Sequence, residues 1–371
     1  MENLLFLILA FLTAMLLSQI IVPKILVISL RKRLFDTPDE RKIHKRPIPR
    51  LGGVTFFPGI LVTLFLFTAI RIKAEFLPND LFDENIATEF LFMIAGLTLL
   101  YIVGIGDDLV GVRYHKKLVI QLVSASLLPV SGLYINNFYG LFGIHALPIY
   151  VAVPLTVLVV VFITNAMNLI DGIDGLASGL SMVAFLILGV IFINMGLWIY
   201  AMLAFISMGV IIPFFRYNVF GNADRGKKIF MGDTGSLTLG YLLSFLILRY
   251  VMNSPYNSQS LIYGPPLLIG LSILLVPGFD VIRVVFRRIR NGRSPFHPDR
   301  THIHHKFLDM GFSPRSALIC IQCISVLFFV FTTLAVRIMN VTLVLSIDIA
   351  LWIAMHLWFD HRIRAVQRKR K

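Results

Sequence analysis

The chain has 371 residues, of which 57% are hydrophobic and only 15% are charged, whereas soluble proteins average about 25% charged residues. With a mean hydropathy of +0.82, this composition excludes an ordinary soluble domain. A net charge of +14 can indicate a nucleic-acid binder, but in a membrane protein it is more typical of basic cytoplasmic loops facing anionic headgroups, so we expect no nucleic-acid partner. Two cysteines are too few for a disulfide scaffold.

Apolar stretches long enough to cross a bilayer core follow one another along the chain. The first begins with Glu2 and no basic stretch, unlike a cleaved signal peptide. Prolines and glycines between 265 and 278 interrupt the ninth, so it is predicted to be bent or broken. The prediction is an all-α polytopic membrane protein with about 11 transmembrane helices in a single domain. The predicted spans are 3–30, 53–70, 89–106, 117–133, 148–168, 176–194, 196–215, 235–252, 261–283, 316–337 and 341–359.

Lysine and arginine concentrate on one side of the predicted membrane, which carries 29 of the 34. They fall in segments 31–50, 107–117, 216–230, 283–315 and 360–371. The positive-inside rule places this side in the cytoplasm, with the N-terminus outside and the C-terminus cytoplasmic. The loops are too short to fold alone, so we expect an active site built from the cytoplasmic loops 31–52, 107–117, 168–175, 216–235 and 283–315.

Acidic residues stand at the ends of three spans on this basic side. Asp107 and Asp108 follow the third span in GIGDDLVGVRYHKK, Asp171 and Asp174 follow the fifth in NAMNLIDGIDGLASG, and Asp233 precedes the eighth in FMGDTGSL. Acids at a membrane boundary are costly unless they bind a cation or pair with arginine or lysine. Helix capping is the alternative for each motif alone. Convergence of the three on one face favours a shared site.

The fifth-span motif also offers amide oxygens. Asn165, Asn168 and Asp171 are spaced three apart, so they share one face if the helix extends that far. Gly172 and Gly175 allow the backbone to turn and to approach a ligand closely. Mg²⁺ prefers such oxygens and usually takes one or two protein ligands plus substrate phosphates. Acids and amides beside many basic residues therefore predict a Mg²⁺–diphosphate site.

Four histidines, His297, His302, His304 and His305, lie within segment 283–315. A zinc site is one interpretation, but no cysteine accompanies them and HIHH lacks the i, i+4 spacing of a helix-borne pair. Binding of lipid headgroups by a solvated basic loop is another. Anion binding at an active site is favoured, because histidine and arginine donate hydrogen bonds to phosphate and sugar oxygens.

Three other classes of protein are disfavoured. A transporter or channel would line a path with ionisable residues deep in its spans, where Asp348 is the clear case and Lys24 lies close to a span end. A CDP-alcohol phosphatidyltransferase would carry its acids in one compact run, whereas here three loops share them. A scaffold without enzymatic activity would need neither the acids nor the histidines.

The ordered motifs resemble those of the polyprenyl-phosphate N-acetylhexosamine-1-phosphate transferases of glycosyltransferase family 4. They are DTPDERKIHKRPIPRLGG, GIGDDLVG, NAMNLIDGIDGLASG, FMGDTGSL and HPDRTHIHH. The resemblance spans roughly residues 1–335, and the HIHH sequence looks more like the WecA/TagO branch than MraY. It implies transfer of HexNAc-1-phosphate, expected to be GlcNAc-1-phosphate, from a UDP-sugar to undecaprenyl phosphate. UMP is released, and the product is the first lipid-linked intermediate of a cell-surface glycan. The details of segment 283–315 leave the donor sugar open.

The resemblance also implies roles for individual residues. Asp107, Asp108 and Asp171 are expected to be catalytic, and Asn168 and Asp233 to bind Mg²⁺, with Mn²⁺ as a substitute. Lys117 is expected beside the acceptor phosphate, and Asp174 and Phe230 against uracil. Diphosphate and sugar are expected to contact Arg300, His302, His304 and His305.

The same resemblance implies a bacterial inner-membrane protein whose active site faces the cytoplasm, with membrane lipids around it; a homodimer is left open. The acceptor phosphate has a second pKa near 6, so it is largely dianionic and already nucleophilic at neutral pH. We therefore favour direct displacement with Asp107 orienting the acceptor. A covalent step through Asp107 is the alternative, which gains least when the final nucleophile is already good.

Overall fold

The computed structural model describes residues 2–36, 48–74, 84–253, 264–294 and 299–370. The described chain is almost entirely helical and includes one antiparallel pair of short strands, β1 (Phe35–Asp36) and β2 (Ile48–Pro49). The helices are α1 (Glu2–Arg31), α2 (Phe56–Lys73), α3 (Glu84–Val110), α4 (Tyr114–Val130), α5 (Ile149–Ile170), α6 (Leu176–Asn194), α7 (Trp198–Val219), α8 (Gly232–Asn253), α9 (Pro266–Ser272), α10 (Leu275–Arg290), α11 (Ile303–Asp309), α12 (Pro314–Ala335) and α13 (Val341–Arg370). The prediction of an all-α polytopic membrane protein is confirmed.

Within the described residues, nine helices are long and apolar enough to cross a membrane, and the bent pair α9–α10 makes ten. The fourth predicted span corresponds to α4, which has 17 residues. At a rise of 1.5 Å per residue it is about 26 Å long, slightly under a typical hydrocarbon thickness. The predicted count of 11 and the predicted orientation therefore stay predictions.

The ninth predicted span is broken, as its prolines and glycines indicated. The axes of α9 and α10 differ by 77° across Ile273 and Leu274. Pro266 starts α9, where a missing N–H costs nothing, and Pro277 lies in the first turn of α10. The bend turns α10 toward the basic end of the bundle, where its last turn carries Arg287, Arg288 and Arg290.

Helix α8 is the centre of the bundle. Of its most apolar 18-residue window, 94% is buried inside the protein, against 28% for α1. Helix α3 crosses the start of α8 closely at Gly104, where a Cβ would lie only 2.6 Å from the Cα of Thr234. One turn beyond Gly104, this close approach brings Asp108 to the first residues of α8.

A buried ion pair joins two helices of the bundle. Glu89 of α3 and Arg249 of α8 are both buried and form an ion pair of 2.7 Å, and the Tyr200 hydroxyl donates to the same carboxylate. Both partners stand at predicted span ends and are enclosed by protein, so the prediction that Asp348 is the clear case of a charge deep within a span is not affected. Asp348 itself is buried and accepts a 2.9 Å hydrogen bond from Thr332.

Candidate active site

The start of α8 is capped by a carboxylate from another helix. Asp108 accepts hydrogen bonds from the backbone N–H groups of Asp233 and Thr234, at 2.8 and 3.0 Å, and from the Thr234 hydroxyl at 2.6 Å. Gly232 has φ +74° and lies against this carboxylate, where a side chain would collide with it. The capping role considered for Asp233 in the sequence belongs to Asp108, and Asp233 lies in the first helical turn.

One lysine ammonium joins two of the predicted site acids. Lys117 donates to Asp107 at 3.3 Å and also contacts Asp233. The second oxygen of Asp107 accepts the Val112 N–H at 2.6 Å, so both carboxylate oxygens are held. The three side chains come from α3, α4 and α8 and keep partial exposure. This end of the bundle therefore already places a cation between two carboxylates.

The two asparagines of the fifth-span motif have separate partners. Asn165 pairs with Gln121 of α4, with Nδ2 donating to Oε1 at 2.7 Å. Asn168 donates to the Ser236 hydroxyl at 2.8 Å, one turn after Asp233 on α8. This bond uses the amide nitrogen of Asn168 and leaves its carbonyl oxygen as an acceptor.

Oxygen donors suited to a hard cation thus gather here from Asn168, Asp233 and the nearby carboxylates. Among the described residues, no group of three histidine, cysteine or acidic side chains is arranged to hold a metal by itself. This donor set fits Mg²⁺, which needs only one or two protein ligands when substrate phosphates supply the rest.

Helix α5 ends at Ile170, so Asp171 is its C-cap residue and the helix stops one residue short of the predicted shared face. No hydrogen bond reaches its carboxylate from the described residues. Burial, together with the nearby carboxylates of Asp174 and Asp108, raises the pKa of Asp171 to about 7. This carboxyl is thus poised to exchange a proton near neutral pH.

Asp174 lies in the same turn and has a different partner. Lys228, from the segment before α8, donates to its carboxylate at 2.6 Å. Gly175, with φ +80°, then starts α6, and its N–H donates to the Asn218 side chain at 2.6 Å. The turn 171–175 is thus anchored to both neighbouring segments.

Residues 49–53 of the first basic loop run beside residues 229–231. The Phe230 N–H donates to the Pro49 carbonyl at 2.7 Å, and Gly52 and Gly53 donate to the carbonyls of Phe230 and Met231 at 2.9 and 2.8 Å. Gly53 touches the backbone of Gly235, where a side chain would have no room. Phe230, whose ring is half-buried, is therefore fixed in position next to Asp233.

The histidine cluster is positioned by an acid that the sequence reasoning missed. Asp280 of α10 is fully buried and contacts His302 Nδ1 at 2.7 Å, Arg283 at 2.7 Å and the N–H of Ile303 at 3.0 Å. Because a carboxylate only accepts, Nδ1 of His302 carries the proton and Nε2 points elsewhere. Arg283 also donates to the Thr301 carbonyl, so α10 fixes the start of α11.

His304 connects this cluster to the fifth-span motif. Its ring lies parallel to that of His302, at 5.9 Å between centroids, and occupies the space where Gly172 lacks a side chain. Burial, together with the neighbouring His305 and His302, lowers the pKa of His304 to about 3. A neutral imidazole donates one hydrogen bond, and both of its nitrogens are buried without a partner in the described part of the chain.

Burial and the neighbouring His302 and Arg300 also lower the pKa of His305. Arg300 is exposed beside it, while Asp299 of the same motif is held by Arg288 through two hydrogen bonds of 3.0 and 3.1 Å. These bonds, together with that from Thr301, outweigh burial and lower the pKa of Asp299 to about 2. His297 lies outside the described residues.

The structure thus brings all the predicted site residues to one end of the bundle, with Asp107, Asp108, Lys117 and Asp233 in direct contact. It adds residues that the motifs did not single out, namely Gln121, Lys228, Thr234, Ser236 and Asp280. For Asp280, the available signal was an acid three residues before Arg283 in an otherwise apolar stretch. Lys228 offered none beyond its place in a basic loop.

The chain is similar to known proteins over most of its length. The profile of the family described as glycosyl transferase family 4 matches residues 90–251. The chain is 33% identical over 349 residues, 94% of its length and 89% of the relative, to a "Probable undecaprenyl-phosphate N-acetylglucosaminyl 1-phosphate transferase" of Bacillus subtilis. Two proteins named "Undecaprenyl-phosphate alpha-N-acetylglucosaminyl 1-phosphate transferase" match as well. That of Yersinia pestis is 32% identical over 79% of this chain and 74% of the relative, and that of Escherichia coli K12 is 30% identical over 78% and 72%.

Proposed function

Since this chain belongs to glycosyl transferase family 4, we propose that it transfers N-acetylglucosamine 1-phosphate to undecaprenyl phosphate. The observation that carries the proposal is the convergence of Asp107, Lys117, Asn168, Asp171 and Asp233 with the buried histidines at one end of a membrane-spanning bundle. A reaction between a lipid phosphate and a water-soluble sugar donor needs its site at such a boundary, because the lipid chain stays in the bilayer.

The donor is a UDP-N-acetylhexosamine, and UMP is the leaving group. Two features support binding of uridine: the half-buried ring of Phe230 can stack on uracil, and Asp174 offers acceptor oxygens beside Lys228. His304, which packs against Gly172 of the same turn, supplies a neutral N–H donor, which suits a sugar oxygen. Arg300 and His305 lie at the more exposed edge, where the Arg300 guanidinium can neutralise charge on phosphate oxygens.

Mg²⁺ is the proposed cofactor, with Mn²⁺ as a substitute, held by Asp233 and the carbonyl oxygen of Asn168. When bound, it would neutralise charge on the donor diphosphate and polarise the phosphoryl oxygen. The contact of the Lys117 ammonium with Asp233 supports this assignment, because it shows that this carboxylate position accommodates a cation.

The residues of this chain favour direct displacement over a covalent intermediate. Both oxygens of Asp107 already accept hydrogen bonds, from Val112 and Lys117, which makes this carboxylate a poor nucleophile. Lys117 instead can hold the acceptor phosphate, while Asp107 orients the ammonium. The step then joins an acceptor oxygen to the donor β-phosphorus and breaks the bond between that phosphorus and the bridging oxygen, which leaves with UMP.

The basic loops support a site at the cytoplasmic face of a bacterial inner membrane, where UDP-sugars are available. The product would be the first lipid-linked intermediate of a surface glycan. A homodimer is compatible with this scheme, because each chain carries a full set of site residues.

The test is turnover by the purified full-length protein with undecaprenyl phosphate, Mg²⁺ and a panel of UDP-sugars, followed as UMP release. UDP-GlcNAc should give the highest kcat/KM, and Asp233→Asn should abolish Mg²⁺-dependent turnover without loss of folding. Alanine at His304 should lower kcat/KM by roughly 10–1,000-fold, and Zn²⁺ should not rescue it. No UMP release with any donor would refute the proposal.

A second measurement addresses the order of events. Direct displacement requires both substrates, so enzyme stripped of polyprenyl phosphate should not exchange labelled UMP into UDP-GlcNAc. Robust exchange that is lost in Asp107→Asn would instead establish the covalent route.

A further inference from the structure

A cleft of about 790 Å³ lies between α10 and α13, apart from the residues assigned to the transferase reaction. Its two long walls are single helix faces, because the lining residues recur at i, i+3, i+4, i+7, i+8 and i+11 on each helix. These lining residues run from Phe279 to Arg290 on α10 and from Ile349 to Asp360 on α13. The helices run in the same sense toward the basic end of the bundle, so the cleft has an apolar end and a charged end.

At the apolar end, the rings of Phe279 and Trp352 meet edge to face at 5.9 Å and close the cleft. Between this contact and the charged end, Ile282, Phe286 and Ile353 keep 41%, 69% and 53% of their surface exposed. Side chains so exposed within membrane-spanning helices face hydrocarbon, so this part of the cleft suits acyl chains.

The charged end has more positive than negative charge. Arg287 and Arg290 are exposed, and no acidic partner contacts them within the described part of the chain. Lys306 of α11 is paired with Asp360 at 2.6 Å, which is the acid lining the cleft. Two arginines thus remain available to an anion at the end where α10 and α13 reach the basic face.

Buried hydrogen-bond donors point to the same class of ligand. His356 is only 5% exposed, lines the cleft, and has no hydrogen-bond partner on either ring nitrogen in the described structure. The same holds for Nε of Arg283 and Nε1 of Trp352, which line it too. Buried polar groups are normally satisfied, and a cluster of N–H donors is satisfied by a molecule rich in acceptor oxygens.

We infer that this cleft binds an anionic glycerophospholipid of the surrounding bilayer. Its phosphodiester is held by Arg287 and Arg290 and accepts from His356, and its acyl chains lie along Ile282, Phe286 and Ile353. Basic pockets between transmembrane helices on the cytoplasmic side are known to bind anionic headgroups. The site is independent of the proposed transferase reaction, so binding can be tested whatever that reaction proves to be.

The experiment is native mass spectrometry of the full-length protein, stripped of lipid in detergent and titrated with phosphatidylglycerol. Wild type should retain one tightly bound lipid. Arg287→Gln combined with Arg290→Gln should bind about tenfold or more weakly, since a hydrogen bond to a charged group contributes about 1.5 kcal/mol or more. The matched control is Arg31→Gln with Lys32→Gln, which removes two exposed charges at the basic end of α1 and should bind as wild type does.

Three further titrations identify the occupant. Phosphatidylcholine with the same chains should bind weakly, because its headgroup carries no net charge. sn-Glycerol 3-phosphate, which has no chains, and undecaprenyl phosphate should not displace phosphatidylglycerol at equal concentration. Displacement by the former would identify a soluble phosphate, and displacement by the latter would make the cleft part of the acceptor path; either overturns the inference.

Equal loss of binding in the control variant, or unchanged binding in the double glutamine variant, overturns it too. Thermal melting without lipid must show that each variant is folded. If the double variant is not, Arg290→Gln alone carries the test, because Arg290 is exposed at the end of its helix.

Discussion

Replacing Asp108 with asparagine tests whether this acid acts by positioning α8 or in the chemical step. Its two oxygens accept three hydrogen bonds, two of them from the backbone N–H groups of Asp233 and Thr234. An asparagine has one acceptor oxygen, so at least one of these N–H groups would face an NH₂ group. The free energy of unfolding should fall by about 1.5–3 kcal/mol, the usual loss for a hydrogen bond to a charged group.

Turnover should fall as well, because Asp233 lies in the turn that Asp108 holds. A displacement of about 1 Å can cost roughly 100-fold in rate. Asp107→Asn is the matched comparison: it disturbs Lys117 but not the start of α8, so stability should stay near wild type while activity is lost. Thr234→Val, which removes only the hydroxyl bond, should cost about 1 kcal/mol.

The measurements are SDS-induced unfolding in detergent micelles and UMP release at several Mg²⁺ concentrations. If Asp108→Asn unfolds at the same SDS concentration as wild type yet is as inactive as Asp107→Asn, Asp108 takes part in the chemistry. The positioning argument would then be refuted.

Three further predictions concern other parts of the molecule. Gly172→Ala should displace the His304 ring and lower kcat by about 100-fold. The control Gly106→Ala, where the nearest side chain lies 3.7 Å away, should be active. Similar activities of the two variants would contradict the contact between Gly172 and His304. If ionised Asp171 is required, kcat should fall as pH decreases through about 7, because the Asp171 carboxylate binds a proton below its raised pKa. A kcat that stays constant from pH 8 to 5.5, about 1 to 1.5 units either side of that pKa, would contradict this. Glu89→Gln leaves a buried arginine unpaired, so unfolding free energy should fall by about 3–5 kcal/mol with little change in the kcat of folded protein; a loss below about 1 kcal/mol, typical of exposed pairs, would refute this.

The sequence predicted the bundle well because span length and loop charge are local properties. The break in the ninth span followed from its prolines, and the acids at the ends of the third, fifth and eighth spans do meet at one end of the bundle. What the sequence could not supply were partners distant along the chain. Asp108 caps a helix that begins 124 positions later, and Glu89 pairs with a residue 160 positions away.

The same limit explains why the sequence did not single out the buried acid of α10. A sequence pattern shows Asp280 only as an acid in an amphipathic segment, since the 77° bend that turns it toward His302 depends on packing. Conversely, spacing suggested that Asp171 would share the helical face of Asn165 and Asn168. The helix ends at Ile170, because the glycines that follow favour a turn.

The carboxylate at the start of α8 has a consequence for how phosphate is recognised. The N-terminus of a helix carries about half a positive charge and exposed N–H groups, which many enzymes use to bind substrate phosphates. In this protein the Asp108 carboxylate occupies that position, so the N–H groups of Asp233 and Thr234 are not free to bind another anion. In the proposed reaction, recognition of phosphate would then fall to side-chain cations such as Lys117, whose flexible side chain can follow the substrate as charge shifts between two phosphates, as a fixed dipole could not.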